Sequence, residues 1–203
     1  MARQLFSKAA LHKEVAQVKR YQQFLPSLDL KRQQLIVERY KAAAGLTAIE
    51  EEVRQCRAMI SENLPMISNS RIALNDLVTI SDVSVGYENN AGVNLPILKS
   101  IDVVTKPYST YAKPHWVDQA VIELKRMFEL KVRLQIARRR LDILDAAVKK
   151  VTQRVNFFDK ILIPRAKQTI KKISIFLSDA ERAGIVRAKI TKQKRMKKSV
   201  QCP

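Results

Sequence analysis

The sequence predicts a mainly α fold: a long antiparallel two-helix coiled coil of N- and C-terminal helices, with a small middle segment that contains a β-hairpin. Three observations predict this fold. The 203 residues include only four glycines and seven prolines, too few turn formers for a many-stranded domain. Two long segments carry apolar residues at coiled-coil spacing, and the stretch between them is rich in β-branched residues. We expect an N-terminal helix, a middle segment, a C-terminal helix and a basic tail, at residues 1–64, 65–114, 115–186 and 187–203.

The N-terminal segment carries an apolar seam with a seven-residue repeat. Alternating steps of three and four residues keep side chains on one face of a helix, so this seam predicts a helix that packs along a partner for many turns. The apolar positions are Leu11, Val15, Val18, Leu25, Leu28, Leu35, Ala42, Leu46, Ile49, Val53, Cys56 and Ile60.

The repeat slips by three residues between Leu25 and Leu28, where Pro26 lies. Such an insertion overwinds a coiled coil locally, and a proline removes one backbone hydrogen bond. We therefore expect a kink near Pro26, because the repeat resumes without a glycine or a loop. The alternative is a fresh helix with Pro26 in its first turn.

The C-terminal segment has the stronger seam, which keeps its three-and-four alternation without a miss. Pro164 marks an irregularity just beyond it. The seam consists of Leu134, Ala137, Leu141, Leu144, Val148, Val151, Val155, Phe158 and Leu162.

Neither segment can bury its seam alone, which favours one antiparallel hairpin of the two helices. An alignment of Leu11 with Ala180 places Pro26 opposite about residue 165. We therefore expect both helices to bend at one level.

The middle segment changes to a strand-like pattern. Leu77–Ile80 and Val83–Val85 are β-branched and partly alternating, Asn89–Gly92 supplies turn residues, and Val93–Val104 is again rich in Val, Ile and Leu. This pattern predicts a short β-hairpin held against the helices, with Pro96 at an edge or a bulge.

The charge is strongly basic, with 38 Lys and Arg against 19 Asp and Glu and a formal net charge of +19. Such a surface suits an anionic partner: nucleic acid, an acidic membrane face or an acidic protein cavity. Like charges at high density oppose a stable helix, so we expect the end of the tail to fray in isolation. The tail's basic residues are Arg187, Lys189, Lys192, Lys194, Arg195, Lys197 and Lys198.

No residue pattern predicts catalysis, a cofactor or a metal. No glycine stands in a GxxxxGK[ST] phosphate-binding loop. His12 and His115 lie in different segments without a carboxylate or cysteine cluster, and a structural or surface role is the expected one. Cys56 and Cys202 are too far apart for a zinc motif, and no charge-free stretch is long enough to cross a membrane.

Two proline-centred stretches carry a family resemblance. Leu25-Pro26-Ser27-Leu28-Asp29-Leu30-Lys31-Arg32 is one, and Arg154-Val155-Asn156 followed by Leu162-Ile163-Pro164-Arg165 and Thr169-Ile170-Lys171 is the other. In order and spacing they resemble the D subunit of V-type and archaeal A-type rotary ATPases. The resemblance spans both long helices, and the residues that carry it are Pro26, Leu28, Asp29, Lys31, Arg32, Arg154, Asn156, Pro164 and Arg165.

The resemblance implies a non-catalytic rotor shaft without a cofactor, cytoplasmic and peripheral to the membrane. In that family both termini rise into a catalytic head of A and B subunits, the small F subunit binds the side of the shaft, and a connector protein joins it to the membrane ring. It thus couples ATP synthesis or hydrolysis to proton or sodium transport. The tail cations would meet acidic residues of the head.

If the two proline-centred stretches are set aside, the composition also fits two other classes of protein. A basic coiled-coil nucleic-acid-binding protein would account for the net charge and the tail, and would bind DNA or RNA with a steep salt dependence. A membrane-surface helical scaffold would account for the basic amphipathic helices, although their apolar seams are narrow and carry few exposed aromatic residues.

Overall fold

The computed structural model describes residues 6–68, 77–109 and 113–200, with side chains as far as residue 196. It confirms the mainly α fold with a two-stranded hairpin between long helices. The elements in order are α1 (Lys8–Asn63), a 3-10 turn (Pro65–Ser68), β1 (Val78–Asn90), β2 (Val93–Thr105), α2 (Trp116–Phe157), a π-helical turn (Phe158–Leu162) and α3 (Ile163–Val200).

Helix α1 begins at a capped N-terminus and runs without interruption through Pro26. The Ser7 hydroxyl accepts a hydrogen bond from the Ala10 N–H at 3.1 Å, as an N-cap serine does. Past Pro26, which has no N–H to donate, the Ser27 hydroxyl donates to the Phe24 carbonyl at 2.8 Å. The alternative of a fresh helix at Pro26 is therefore wrong.

One compact unit consists of residues 1–30 and 152–203. Its two helical parts are antiparallel, because the Phe6 ring lies 5.1 Å from the Phe176 ring and the Tyr21 ring lies 5.5 Å from the Phe158 ring, centroid to centroid. The expected register placed Tyr21 level with residue 170, which disagrees with the Tyr21–Phe158 contact, whereas the Lys8–Glu181 pair lies within two residues of it. A seven-residue repeat fits almost equally well after a shift by one repeat, so apolar spacing alone does not fix the register.

The true register also separates the two prolines. Because Tyr21 faces Phe158 in antiparallel helices, Pro26 and Pro164 lie on opposite sides of that contact. The expectation that they share one level was wrong.

The π-helical turn ends two residues before Pro164. In a regular helix the proline ring would collide with the Lys160 carbonyl, which would also lose its donor. The turn is wider, and the Ile163 N–H donates to the Phe158 carbonyl five residues back. The extra residue shifts the inward face, so Leu162 is half-buried and Ile163 is buried.

The other compact unit is Lys31–Val151. Here the C-terminal part of α1 packs antiparallel to α2. Arg39 pairs with Asp145, and Arg138 pairs with Glu50 at 2.9 Å. Between these helices a small core forms around Val53, Cys56 and Leu130, with Ile60 and Met127 against it.

The hairpin belongs to this second unit and confirms the predicted strands, although its 13-residue strands are longer than expected. Val78 pairs with Thr105 at one end and Asn90 with Val93 at the other, with bulges at Ser81 and Lys99. Ala91 and Gly92 form the turn with φ of 52° and 77°, the positive values that a tight hairpin turn requires.

A second core fixes the base of the hairpin to the start of α2. Leu77 and Val78 are buried against Val117 and Val121, and Trp116 packs on the same cluster. Pro96 lies opposite Tyr87 in a sheet with only two strands, which bears out its edge position.

Candidate interaction surfaces

The predicted seam lies at the inner faces of the helices. All twenty-one of its predicted positions are buried or half-buried. Buried are Val18, Leu35, Val53, Cys56, Leu144, Val151 and Val155. Half-buried are Leu11, Val15, Leu25, Leu28, Ala42, Leu46, Ile49, Ile60, Leu134, Ala137, Leu141, Val148, Phe158 and Leu162.

One seam position escaped the sequence pattern because it is polar. Thr169 is buried, with 9% of its surface exposed, between Ala166 and Ile173 on the inner face of α3. Its hydroxyl donates to the Arg165 carbonyl at 3.0 Å, which satisfies the polar group within its own helix. The signal available in the sequence was its spacing of three and four from those two neighbours.

The residues of the two proline-centred stretches fall into both units. Pro26, Leu28 and Asp29 belong to the first unit, whereas Lys31 and Arg32 belong to the second. Leu28, Asp29, Lys31 and Arg32 are half-buried. The remaining ones are exposed and lie in the first unit: Arg154, Asn156, Pro164 and Arg165.

The basic tail is helical, contrary to the expectation that it frays. Helix α3 continues to Val200, and the Arg187 Nε–H donates to the Ala183 carbonyl at 3.3 Å. Alanine, lysine, arginine and glutamine have high helix propensity, which offsets the few tenths of a kcal/mol that each like-charge pair costs. The tail cations Arg187, Lys189, Lys192, Lys194 and Arg195 are all exposed, and Lys197 and Lys198 lie beyond the described side chains.

Exposed apolar side chains stand among these cations, a feature that the sequence analysis did not single out. Ile185 is 58% exposed, Val186 54% and Ile190 47%. Lys8 at the start of α1 pairs with Glu181 at 3.3 Å, so these residues lie beyond the last described contact between the two helices of the first unit. The tail is therefore an amphipathic helix whose apolar side no described residue covers.

The described residues show no cluster suited to metal binding, since no group of three His, Cys, Asp or Glu side chains comes together among them. His12 and His115 are exposed. Within the described ranges, no helix is apolar enough over a sufficient length to span a bilayer.

Besides Arg39 in its ion pair with Asp145, two groups have pKa values that the structure shifts. Burial raises the pKa of the Cys56 thiol, with a further increase from the Glu123 carboxylate and a smaller opposing effect of Arg126. The Tyr108 hydroxyl donates to Asp118 at 2.6 Å, and this hydrogen bond raises the pKa of Tyr108. Both groups have structural roles in the second unit: Cys56 is buried in a core cluster, and Tyr108 is hydrogen-bonded to Asp118.

These observations define an antiparallel helical protein with a β-hairpin insertion and a cationic, amphipathic helix end. The family model for the ATP synthase D subunit matches residues 10–193. The chain belongs to the ATP synthase D-subunit family.

Curated proteins of this family are similar in sequence to this chain over most of its length. The D subunit of the V-type ATP synthase of Borreliella burgdorferi is 32% identical over 199 residues, which cover 98% of each chain. Its counterpart from Chlamydia felis is 34% identical over 193 residues, covering 93% of this chain and 91% of the relative. That of Chlamydia trachomatis is 33% identical over 176 residues, covering 84% and 85%.

Proposed function

We propose that this chain is the central-stalk rotor subunit of a V/A-type rotary ATPase, a non-catalytic shaft that couples ATP synthesis or hydrolysis in a catalytic head to proton or sodium transport through a membrane ring. Its partners would be the A and B subunits of the head, the small F subunit of the stalk and the connector above the ring. It would be cytoplasmic and peripheral to the membrane. The observation that carries this proposal is the match to the D subunit of a V-type ATP synthase along 98% of both chains.

The helix pairs have features suited to carrying torque. In the second unit, Arg39–Asp145 and Arg138–Glu50 join α1 to α2 across a buried apolar seam. Two helices joined in this way resist twisting and bending better than one, because rotation of one past the other would break packing and ion pairs together. α1 contributes residues to both units as one uninterrupted helix, although Pro26 leaves one backbone hydrogen bond of that helix unmade.

The tail supports a rotating contact with an acidic cavity. Its five described cations are exposed, and exposed ion pairs contribute only about 0.2–1 kcal/mol each. Contacts of this strength can break and reform as a shaft turns. The uncovered Ile185, Val186 and Ile190 would add apolar contacts that do not depend on orientation.

The test is a reconstituted head of A and B subunits with this chain. We expect wild type to bind the head and to restore turnover coupled to rotation. A variant with Arg187, Lys189, Lys192, Lys194 and Arg195 changed to glutamine should bind more weakly, with a shallower salt dependence, because fewer ion pairs form. The matched control neutralises five exposed cations of α2 instead: Lys131, Arg133, Arg139, Lys149 and Lys150.

Three results would contradict the proposal. One is no association with the head. Another is equal weakening by the tail variant and the α2 control, which would indicate a general effect of charge. The third is tight, salt-sensitive binding to duplex DNA without any head binding, the result expected of the nucleic-acid-binding alternative.

A further inference from the structure

The hairpin is attached to the helices of the second unit at two places. At its base, a buried core joins the start of β1 to the start of α2. At its far end, the Glu88 carboxylate lies 3.6 Å from the Arg140 guanidinium on α2, and the Asn90 amide donates to Glu38 on α1 at 3.4 Å. Arg140 lies about 20 residues beyond the base core along α2, or roughly 30 Å. We call residues 86–97, which carry the second attachment, the hairpin tip.

The tip also has an apolar anchor. Leu95 is fully buried, and its cross-strand partner Glu88 is the residue that reaches α2. Directly opposed residues of two paired strands lie on the same face, so Leu95 faces the helices as well. A two-stranded sheet has no second layer of its own, and the helices therefore supply the cover. A Cβ at Gly92 would lie 3.1 Å from the Lys31 Nζ, which places the ammonium of this α1 residue beside the turn.

Between its two attachments the hairpin has the features of a hinge. Every residue of 79–85 and 98–105 is exposed or half-buried. Both β-bulges fall in these stretches, and a bulge disrupts the ladder and bends its strand. Asp82 and Asp102 lie directly opposite each other, and like charges at such positions weaken the pairing of the strands. The middle is therefore the weakest part of the hairpin.

The contacts that hold the tip are few and mostly polar. The side chains of Glu88 and Arg140 are both partly exposed, and exposed ion pairs contribute little to stability because water screens them. The 3.4 Å between the Asn90 amide and Glu38 is long for a hydrogen bond. Leu95 therefore supplies most of the attachment. The tip should open more readily than the base, whose core contains four buried apolar residues.

We propose that the hairpin tip is a releasable strap, which ties α1 to α2 when docked and swings on the bulged middle of the hairpin when released. The docked tip contacts Glu38 on α1 and Arg140 on α2. Glu38 directly precedes Arg39, which pairs with Asp145 of α2, so the strap adds a second bridge between the helices at this level. Release removes that bridge while the base stays in its core, and the helix pair then twists more easily. This inference goes beyond the proposed function and concerns the isolated chain, so it can fail while the rotor proposal stands.

The experiment measures distances between pairs of spin labels on the full chain by double electron–electron resonance. All samples carry Cys56→Ala and Cys202→Ser, so that the labels attach only to introduced cysteines. The pair Tyr87→Cys with Lys131→Cys reports the tip against α2, and the pair Val104→Cys with Lys131→Cys reports the base. All three labelled positions are exposed, and none takes part in the attachments.

Three variants weaken the attachment of the tip: Glu88→Gln, Leu95→Ala and their combination. The matched control is Glu51→Gln, because Glu51 pairs with Arg54 within α1 at 2.9 Å and its side chain is 49% exposed, against 47% for Glu88. Circular dichroism checks that the helical content is unchanged. Each sample is measured at about 0.05 M and about 1 M salt, since salt screens exposed ion pairs.

We expect a second, released population of the tip distance that grows with salt and in the variants. Glu88→Gln should increase the ratio of released to docked tip by about 1.5- to 5-fold, the range of an exposed ion pair, and the combined variant by more than about tenfold. The base distance should stay the same in every sample, and Glu51→Gln should behave as its parent.

Three results would overturn the strap. A tip distance that is unchanged in the combined variant at high salt would show that the tip does not release. A base distance that changes together with the tip distance would show that the hairpin moves as one body without a hinge. An equal response to Glu51→Gln and Glu88→Gln would show a general effect of charge instead of a latch.

Discussion

At the scale of single residues, the ion pairs between α1 and α2 determine alignment more than stability. Arg39 and Asp145 are each 43% exposed, so water screens much of their attraction. Hydrogen bonding to Asp145, with its charge, raises the pKa of Arg39, which therefore stays cationic at any physiological pH. The apolar seam alone would allow α1 to slide along α2 by one seven-residue repeat. Such a slide would break the ion pairs, so they favour the observed alignment.

Cys56 gives a prediction at the same scale. Its side chain is 1% exposed and burial raises its pKa, whereas alkylation requires an accessible thiolate. In a chain with Cys202→Ser, we expect iodoacetamide at pH 8 to modify Cys56 at least about tenfold more slowly than in the same chain unfolded by guanidinium. Mass spectrometry of quenched samples measures both rates.

The same shift predicts a dependence of stability on pH. Because the folded pKa lies above the unfolded value of about 8.5, the stabilisation from burying the neutral thiol is complete below that pH and declines as the pH rises towards the folded pKa. The difference in unfolding free energy between Cys202→Ser and Cys56→Ala with Cys202→Ser should therefore shrink from pH 7 to pH 9.5. A constant difference, or rapid alkylation of the folded chain, would show that Cys56 is accessible to water.

At the scale of secondary-structure elements, replacing glycine by alanine should change the stability in opposite directions at Gly92 and at Gly45. Gly92 has a φ of +77° in the hairpin turn, where an alanine is strained, so Gly92→Ala should destabilise the second unit by about 1 kcal/mol. A Cβ there would lie 3.1 Å from the Lys31 Nζ, which can move aside because it ends a flexible side chain. Gly45 lies inside α1 with open space around it, so Gly45→Ala should stabilise the protein by about 0.5–1 kcal/mol.

Urea unfolding followed by circular dichroism measures both changes, and each variant controls the other because the chemical change is identical. If both substitutions shift the unfolding free energy in the same direction, the turn geometry at Ala91 and Gly92 is wrong.

The elements show which features a sequence can reveal. The hairpin was predictable because Asn89–Gly92 contains turn-forming residues and the flanking runs are β-branched. The exact turn was not predictable, since one of its two positive-φ residues is Ala91. The long helices were predictable because their seams repeat. The π-helical turn was not, since one extra residue near Pro164 alters the spacing no more than ordinary variation in a seam does.

At the scale of the whole molecule, stability should differ between the two compact units. Among the described residues, thirteen apolar side chains are buried in Lys31–Val151, which also contains both core clusters. The described part of the other unit buries only five, together with Thr169. Since buried apolar surface is the main source of stability, the smaller core should open at a lower free energy.

Hydrogen exchange at low denaturant concentrations tests this expectation. We predict that amides of residues 8–30 and 163–181 exchange through openings of lower free energy than those of residues 117–151. Ile173→Ala, which removes a side chain 2% exposed, should lower the opening free energy of the first unit by about 2–5 kcal/mol and leave the second unit almost unchanged. Leu144→Ala, at a fully buried position of α2, is the matched substitution in the second unit and should accelerate exchange there. If each substitution accelerated exchange equally in both units, the chain would unfold as one cooperative body, and the uninterrupted α1 would be the element that couples them.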